Sequence, residues 1–406
     1  MNAIELIAAQ EERLKKHFAR IDEIAVSNQE KVLNAFKKEQ IALRHFNGST
    51  GYGYGDEGRE KLGRIFALSF GAEAAIVSPA ILSGTHALTV ALFGVLRPNQ
   101  KVLCITGMPY DTIRGVIWGE GNGSLKDFGI SCDVVPLSES GKVNFSAVEA
   151  AVKENAHDMI YIQRSRGYDL RDAFTIDEIG EMCSVVRSHG FTGCIFVDNC
   201  YGEFVETREP TEVGADLIVG SLIKNPGGGL APTGGYIAGK EIFLKLVENR
   251  LTAPSVGGEI GSYAYGYQQY FQGFFLAPHV VAQSLKGGLL IGACLGALGY
   301  ENFPALDHTP ADITRAVRFE TERQLTDFIQ SVQECSPVDS FVKLEAWDMP
   351  GYDCKVIMAA GTFVAGASIE LSADAPIREP YVAYFQGGLT YEHCKLTVKH
   401  ILSKLV

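Results

Sequence analysis

The sequence predicts an α/β protein, with a doubly wound, mainly parallel sheet in a large domain followed by a small α+β C-terminal domain. Three observations carry that expectation. From Arg59 to about residue 255, short apolar runs alternate with amphipathic helical stretches, the rhythm of successive βαβ units. Beyond that point the alternation stops, and a Tyr/Gly-rich stretch leads into a long apolar helix. Two of the apolar runs end on a charged residue, Asp198 and Lys224, 26 positions apart, and strand ends are where such sheets hold ligands.

The elements follow in order. Residues 1–46 are charged and carry apolar positions at Ile4, Ile7, Leu14, Phe18, Ile21 and Ile24, a helical period. Asn47 to Asp56 is a Gly/Tyr loop too rich in glycine for regular structure. With the first helix it forms an N-terminal arm over residues 1–58. The large domain is expected over 59–285. In it Ala74–Val77 precedes a helix opening at Ser83, Lys101–Thr106 precedes Tyr110–Trp118, and Met159–Gln163 precedes Thr175–Ser188. Ile195–Val197 then leads into Asp198, and Ala215 to Ile223 into Lys224. A long helix is expected over Ala277–Leu298. The small domain, 286–406, has two helices flanking short strands at Phe341–Leu344 and Lys355–Ala359.

Composition narrows the functional classes. A net charge of -12 argues against sequence-independent nucleic-acid binding, which needs a basic surface. Nine cysteines, odd in number and without a Cys-x-x-Cys pair, support neither a zinc ribbon nor a disulfide framework. Asp198 has no His/Asp/Glu cluster near it, so no metal site is expected. Charged residues interrupt the N-terminus, so no signal peptide is expected there. The apolar run from Gly287 to Tyr300 is shorter than the roughly 20 residues a membrane span needs. The expectation is a cytoplasmic protein.

A carboxylate and an amine at the ends of neighbouring strands suit a pyridoxal phosphate enzyme. Lys224 forms an imine with the cofactor, and Asp198 keeps the pyridine nitrogen protonated so that the ring can act as an electron sink. Burial is expected to lower the pKa of Lys224. Asn225-Pro226-Gly227-Gly228-Gly229 reads as a loop with few side chains to obstruct a ligand. Ser83-Gly84-Thr85 stands at a helix N-terminus, where free amides hold an anion such as a phosphate. Tyr110, after the next strand, offers an aromatic face for a ring. Tyr201 could place its hydroxyl beside the cofactor's phenolic oxygen, and Ser221 could contact the phosphate. For a substrate carboxylate the candidates are Arg378, in the small domain, and Arg166, with Arg164 a weaker rival. Gly234 to Lys240 has the spacing of a nucleotide phosphate loop, but Glu241 stands where Ser or Thr is required.

These residues together resemble a fold-type-I pyridoxal phosphate enzyme of the cysteine/methionine metabolism group. The strings Gln163-Arg164-Ser165-Arg166-Gly167-Tyr168, Phe274-Phe275-Leu276-Ala277-Pro278-His279 and Gln386-Gly387-Gly388-Leu389-Thr390-Tyr391-Glu392-His393 are more specific. They resemble the methionine gamma-lyase-like subfamily called aluminium resistance protein, over nearly the whole chain. The resemblance implies the aspartate-aminotransferase-like fold, pyridoxal 5'-phosphate on Lys224, and a homotetramer of two dimers with sites at the subunit interface. It also implies that Tyr54, with Arg59 beside it, reaches a neighbouring subunit's phosphate. The implied reaction is carbon–sulfur elimination from a sulfur-containing amino acid. Ile223, where these lyases carry Thr, and Tyr201, an aminotransferase-like feature, keep an aminotransferase or aldolase-type reaction open. A low-turnover pyridoxal phosphate binder is the third reading.

Overall fold

The computed structural model describes residues 2–154 and 156–405. Helix α1 (Ala3–Lys38) opens the chain, closed at its start by a capping box in which Asn2 and Glu5 bond each other's backbone amides at 3.0 Å. Asp56 ends the Gly/Tyr loop by capping α2 (Glu57–Ser69). The large domain continues through β1 (Ala74–Ser78), α3 (Gly84–Val95), β2 (Lys101–Cys104), α4 (Asp111–Trp118), β3 (Ser131–Val134) and α5 (Phe145–Glu154). It goes on through β4 (Met159–Gln163), α6 (Ile176–Ser188), β5 (Cys194–Asp198), β6 (Leu217–Ser221), β7 (Gly235–Gly239) and α7 (Glu241–Leu251). After α8 (Gln268–Ala297) come β8 (Asn302–Phe303), β9 (Arg315–Phe319), α9 (Glu322–Glu334), β10 (Val356–Ala359), β11 (Ser372–Pro376), β12 (Tyr381–Gln386) and α10 (Tyr391–Leu405).

The seven-stranded sheet has the order β1-β7-β6-β5-β4-β2-β3. Strands β2 to β6 are parallel, and β7 runs antiparallel to both its neighbours. Strands β4 to β7 are buried along their whole length, which is why they read as unbroken apolar runs and not as alternating ones. The chain steps from β2 out to β3, then returns to lay β4 on the other side of β2. That reversal opens a crevice beyond the strand ends. The second sheet, β10-β11-β12-β9-β8, is antiparallel throughout and forms the other wall.

Several expectations are corrected. Helix α8 begins at Gln268, nine residues before the expected Ala277, and carries Pro278 inside it. The helix runs through Pro278, giving up one backbone bond. The expected domain boundary after residue 285 therefore falls inside a continuous helix. This helix has the length and apolarity to cross a membrane, yet 78% of its most apolar window is buried within the protein. Phe341–Leu344 is not a strand: the Gln330 amide bonds both backbone groups of Leu344, which a neighbouring strand would otherwise satisfy. Gly235–Gly239 of the phosphate-loop look-alike is the fully buried strand β7.

The glycines after Lys224 are not an open ligand loop. Asn225 to Gly228 are buried, and a Cβ on Gly228 would stand 2.2 Å from the Gly273 carbonyl oxygen of α8. Gly228 also takes φ +54°, which favours glycine. The run lets two backbones touch.

Candidate active site

Strands β4, β5 and β6 end side by side at the crevice, with Gln163 opposite Asp198 and Asp198 opposite Val219. Asp198 is buried, and its Oδ1 accepts from the Cys200 amide at 3.1 Å. Burial pushes its pKa up, against the opposing charge of Lys224. Lys224 follows β6 by three residues, and its Nζ lies 3.8 Å from the centre of the Tyr201 ring. Tyr201 is held at φ +72°, a region a bulky side chain rarely adopts, and such strain gathers at functional sites. Burial alone pulls the Lys224 pKa down, as expected. The acidic groups around it, Cys200, Tyr201, Asp198 and Glu203, outweigh burial when ionised, and the net direction is upward. The expected lowering is thereby reversed.

The first turn of α3 packs on these strand ends. A Cβ at Gly84 would sit 3.5 Å from both Cys200 Sγ and Ser221 Cβ. Ser83 Oγ accepts from the His86 amide at 3.1 Å and caps the helix, and Ser83 does not line the cleft. Gly84 and Thr85 do line it, and Thr85 Oγ1 lies 3.1 Å from Thr112 Oγ1. Ser221 Oγ is buried with no hydrogen-bond partner. A helix N-terminus beside an unpaired hydroxyl is the setting a phosphate fits. The Tyr110 amide donates to Gln163 Oε1 at 2.7 Å, its hydroxyl bonds that of Tyr352, and its ring lines the cleft.

These groups meet in one cleft between the two sheets. Asp198, Tyr201, Lys224, Tyr110, Gly84 and Thr85 all face it. The arginines divide. Arg378 lies outside the cleft lining, partly exposed, with Nη1 2.9 Å from Asp353 Oδ1. Arg164 is held in the interior by Asn199 Oδ1 at 2.9 Å and Glu206 Oε1 at 3.0 Å. Arg166 is 1% exposed, and none of its guanidinium nitrogens has a hydrogen-bond partner; its neighbours Ser165 and Gly167 line the cleft. Tyr54 is exposed, packed against Tyr52, and does not line its own chain's cleft. Arg59 Nη1 is tied to the Gly261 carbonyl at 2.7 Å. Among the described residues no group of three or more His, Cys, Asp or Glu side chains could hold a metal ion.

Sequence reasoning missed the far wall. Asp374, Tyr384 and Gln386 of β11 and β12 line the cleft, as do Thr314, Gln163 and Tyr168. Tyr168 donates to Asp374 Oδ2 at 2.6 Å, and burial raises the Asp374 pKa to about 6. One signal was present: Ser372-Ala373-Asp374-Ala375 alternates polar and small apolar residues at the period of a strand.

Comparison with known proteins places this arrangement. The family described as methionine gamma-lyase matches residues 3–406. YnbB of Bacillus subtilis (strain 168), a protein described as uncharacterised, is 50% identical over 95% of this chain and 92% of its own length. The crystal structure of a carbon–sulfur lyase involved in aluminium resistance from Clostridium novyi NT superposes with a TM-score of 0.95 at 45% identity, covering 100% of this chain and 96% of that one. A Bacillus cereus structure gives a TM-score of 0.95 at 49% identity over 98% of each chain. The pyridoxal-5'-phosphate-dependent protein YhfS from Escherichia coli, at 17% identity and a TM-score of 0.64 over 95% of this chain and 96% of that one, shares the fold alone.

Proposed function

This chain belongs to the methionine gamma-lyase family, and on that premise we propose that it is a pyridoxal-phosphate-dependent lyase breaking a carbon–sulfur bond in an amino acid. The observation that carries the reading is the shared cleft of Asp198 and Lys224 beside the N-terminus of α3. Pyridoxal phosphate, when bound, supplies an electron sink in conjugation with the substrate's Cα.

The chain's own groups then have distinct tasks. Amides at Gly84 and Thr85, with the unpaired Ser221 hydroxyl, hold the phosphate. The Asp198 carboxylate keeps a proton on the pyridine nitrogen. Tyr110 covers the ring face, and Tyr201 stands beside Lys224. Lys224 is the covalent anchor; freed by the incoming substrate amine, it accepts the Cα proton. The electron pair of the broken C–S bond leaves with sulfur as a thiolate, which takes up the proton held on Lys224 and departs as a thiol. Arg166, buried beside the cleft lining with no hydrogen bond to its guanidinium and only the Asp172 carboxylate near it at 4.0 Å, is the better candidate for the substrate carboxylate, and Arg378 the lesser one. A homotetramer with sites at subunit interfaces would let the exposed Tyr54 serve a neighbouring copy.

The test incubates the loaded protein with sulfur amino acids and no amino acceptor, and measures keto acid and thiol. Stoichiometric release of both is expected. Keto acid formed only when an acceptor is added would replace the lyase with an aminotransferase, the reading that Tyr201 beside Lys224 favours.

A further inference from the structure

We infer that Asp374 and the tyrosines around it form a subsite for a positively charged side-chain terminus, so that the site selects sulfur amino acids whose departing half carries an ammonium group. This names the substrate class of the site proposed above and rests on that reading.

Asp374 stands on β11, 7% exposed, in the wall facing Lys224. Its Oδ2 accepts the Tyr168 hydroxyl at 2.6 Å, and its Oδ1 has only the Gln386 amide at 3.4 Å. Among the described residues no basic side chain pairs with it at ion-pair distance, and Lys224 is the one basic group whose charge it feels. The charged residues lining the cleft are Asp198, Lys224 and Asp374. Once Asp198 is turned to the pyridine nitrogen and Lys224 is bonded to the cofactor, Asp374 is left as an uncompensated buried carboxylate. Burial raises its pKa and the Lys224 charge lowers it, so without that charge the carboxyl is pushed further up, and a cation brought by the substrate favours its ionised form. Breaking or omitting the partner of a buried charge is costly, so a cation delivered by the substrate recovers that cost.

The surrounding rings favour the same ligand. The Tyr168 ring centre lies 4.9 Å from that of Tyr384, 5.6 Å from Tyr110 and 5.7 Å from Tyr352. Tyr168 bonds the Asp374 carboxylate within this group of rings, and aromatic rings near a carboxylate suit an ammonium group. A carboxylate-bearing side chain in the same place would meet the Asp374 carboxylate, and Arg166, the arginine next to the lining, is taken up by the substrate's α-carboxylate in the reading above.

Three cysteine thioethers of similar size separate the cases: S-(2-aminoethyl)-L-cysteine, S-propyl-L-cysteine and S-carboxymethyl-L-cysteine. Each is given to the loaded protein. Turnover is followed by keto-acid release, and binding by the change in cofactor absorbance. The aminoethyl compound should exceed the carboxymethyl compound in kcat/KM by at least about 100-fold, the scale of a removed like-charge contact. Asp374→Asn should bring that ratio below about 10-fold, and Tyr168→Phe, which frees the carboxylate's orientation, should lower it part of the way. Equal turnover of the cationic and anionic compounds overturns the subsite while the lyase reading stands. Absence of turnover with binding still ranked cation first overturns the lyase reading and keeps the subsite. Binding without rank, or no binding of any of the three, overturns the subsite.

Discussion

The two walls of the cleft are built on different principles. The large-domain wall comes from parallel strands buried on both faces, so its functional groups must appear where an apolar run stops: Gln163, Asp198 and Ser221 end β4, β5 and β6, and Lys224 follows at once. The small-domain wall comes from antiparallel strands in which Asp374 lies mid-strand between Ala373 and Ala375 and Tyr384 lies within β12, while Gln386 ends that strand. A residue at the end of a run announces itself in sequence. A residue within an alternating strand announces itself only once the strand is recognised.

The largest expected effect belongs to the legible wall. Lys224→Ala should abolish covalent cofactor attachment, read as loss of a borohydride-fixed adduct by mass spectrometry, and cut turnover by at least about a thousandfold. Retention of the adduct would move the anchor elsewhere and break the comparison at its root. Asp198→Asn should leave that adduct in place and lower kcat by about 100-fold or more, since an amide cannot hold the pyridinium charge. An unchanged kcat would make Asp198 a structural acid.

Next in size is the glycine run that the sequence read as open. Gly228→Ala puts a Cβ against the Gly273 carbonyl and forces φ +54° on alanine; it should cost about 2 kcal/mol in urea unfolding. Wild-type stability with altered substrate affinity would restore the open-loop reading. Ser221→Ala should weaken cofactor binding about tenfold, measured by equilibrium dialysis, if its unpaired hydroxyl awaits a phosphate.

The smallest effect is one of pH. Burial pushes Glu203 up to about 8 from an ordinary 4.5, so the folded protein holds a proton there that the unfolded chain releases. The protonated form is the one folding favours, and its contribution is lost as pH rises toward 8. Glu203→Gln keeps the acceptor for the Tyr236 hydroxyl, 2.8 Å away, and should flatten this decline in melting temperature between about pH 5 and 8. An identical slope in the variant would place the titrating group elsewhere.

The large domain was legible because burial on both faces of the sheet imposes a simple pattern, and the start of α3 was legible because Ser83 is a strong cap. Ser83 also shows the limit: a capping oxygen is spent on the helix, so the same residue did not become a cleft group. Arg378 was chosen for its place in the chain, but the chain turns it toward Asp353. Arg166 was already a candidate from its place just beyond a strand end, whereas Asp374 depends on how two sheets face each other across the cleft, a long-range relation that its strand-period alternation does not by itself encode. The start of α8 was misread because a proline inside a helix costs only what its packing can repay.

That uninterrupted helix has a mechanical meaning. Helix α8 packs on α1, on the turn after Lys224 and on β8, β9 and β12 of the second sheet, and a buried helix resists bending along most of its length. The one missing rung in its hydrogen-bond ladder is at Pro278, one turn beyond Gly273, where the segment after Lys224 rests. The reactive amine is thus carried by a segment that rests directly on this helix, so the packing of α8 helps fix where Lys224 stands.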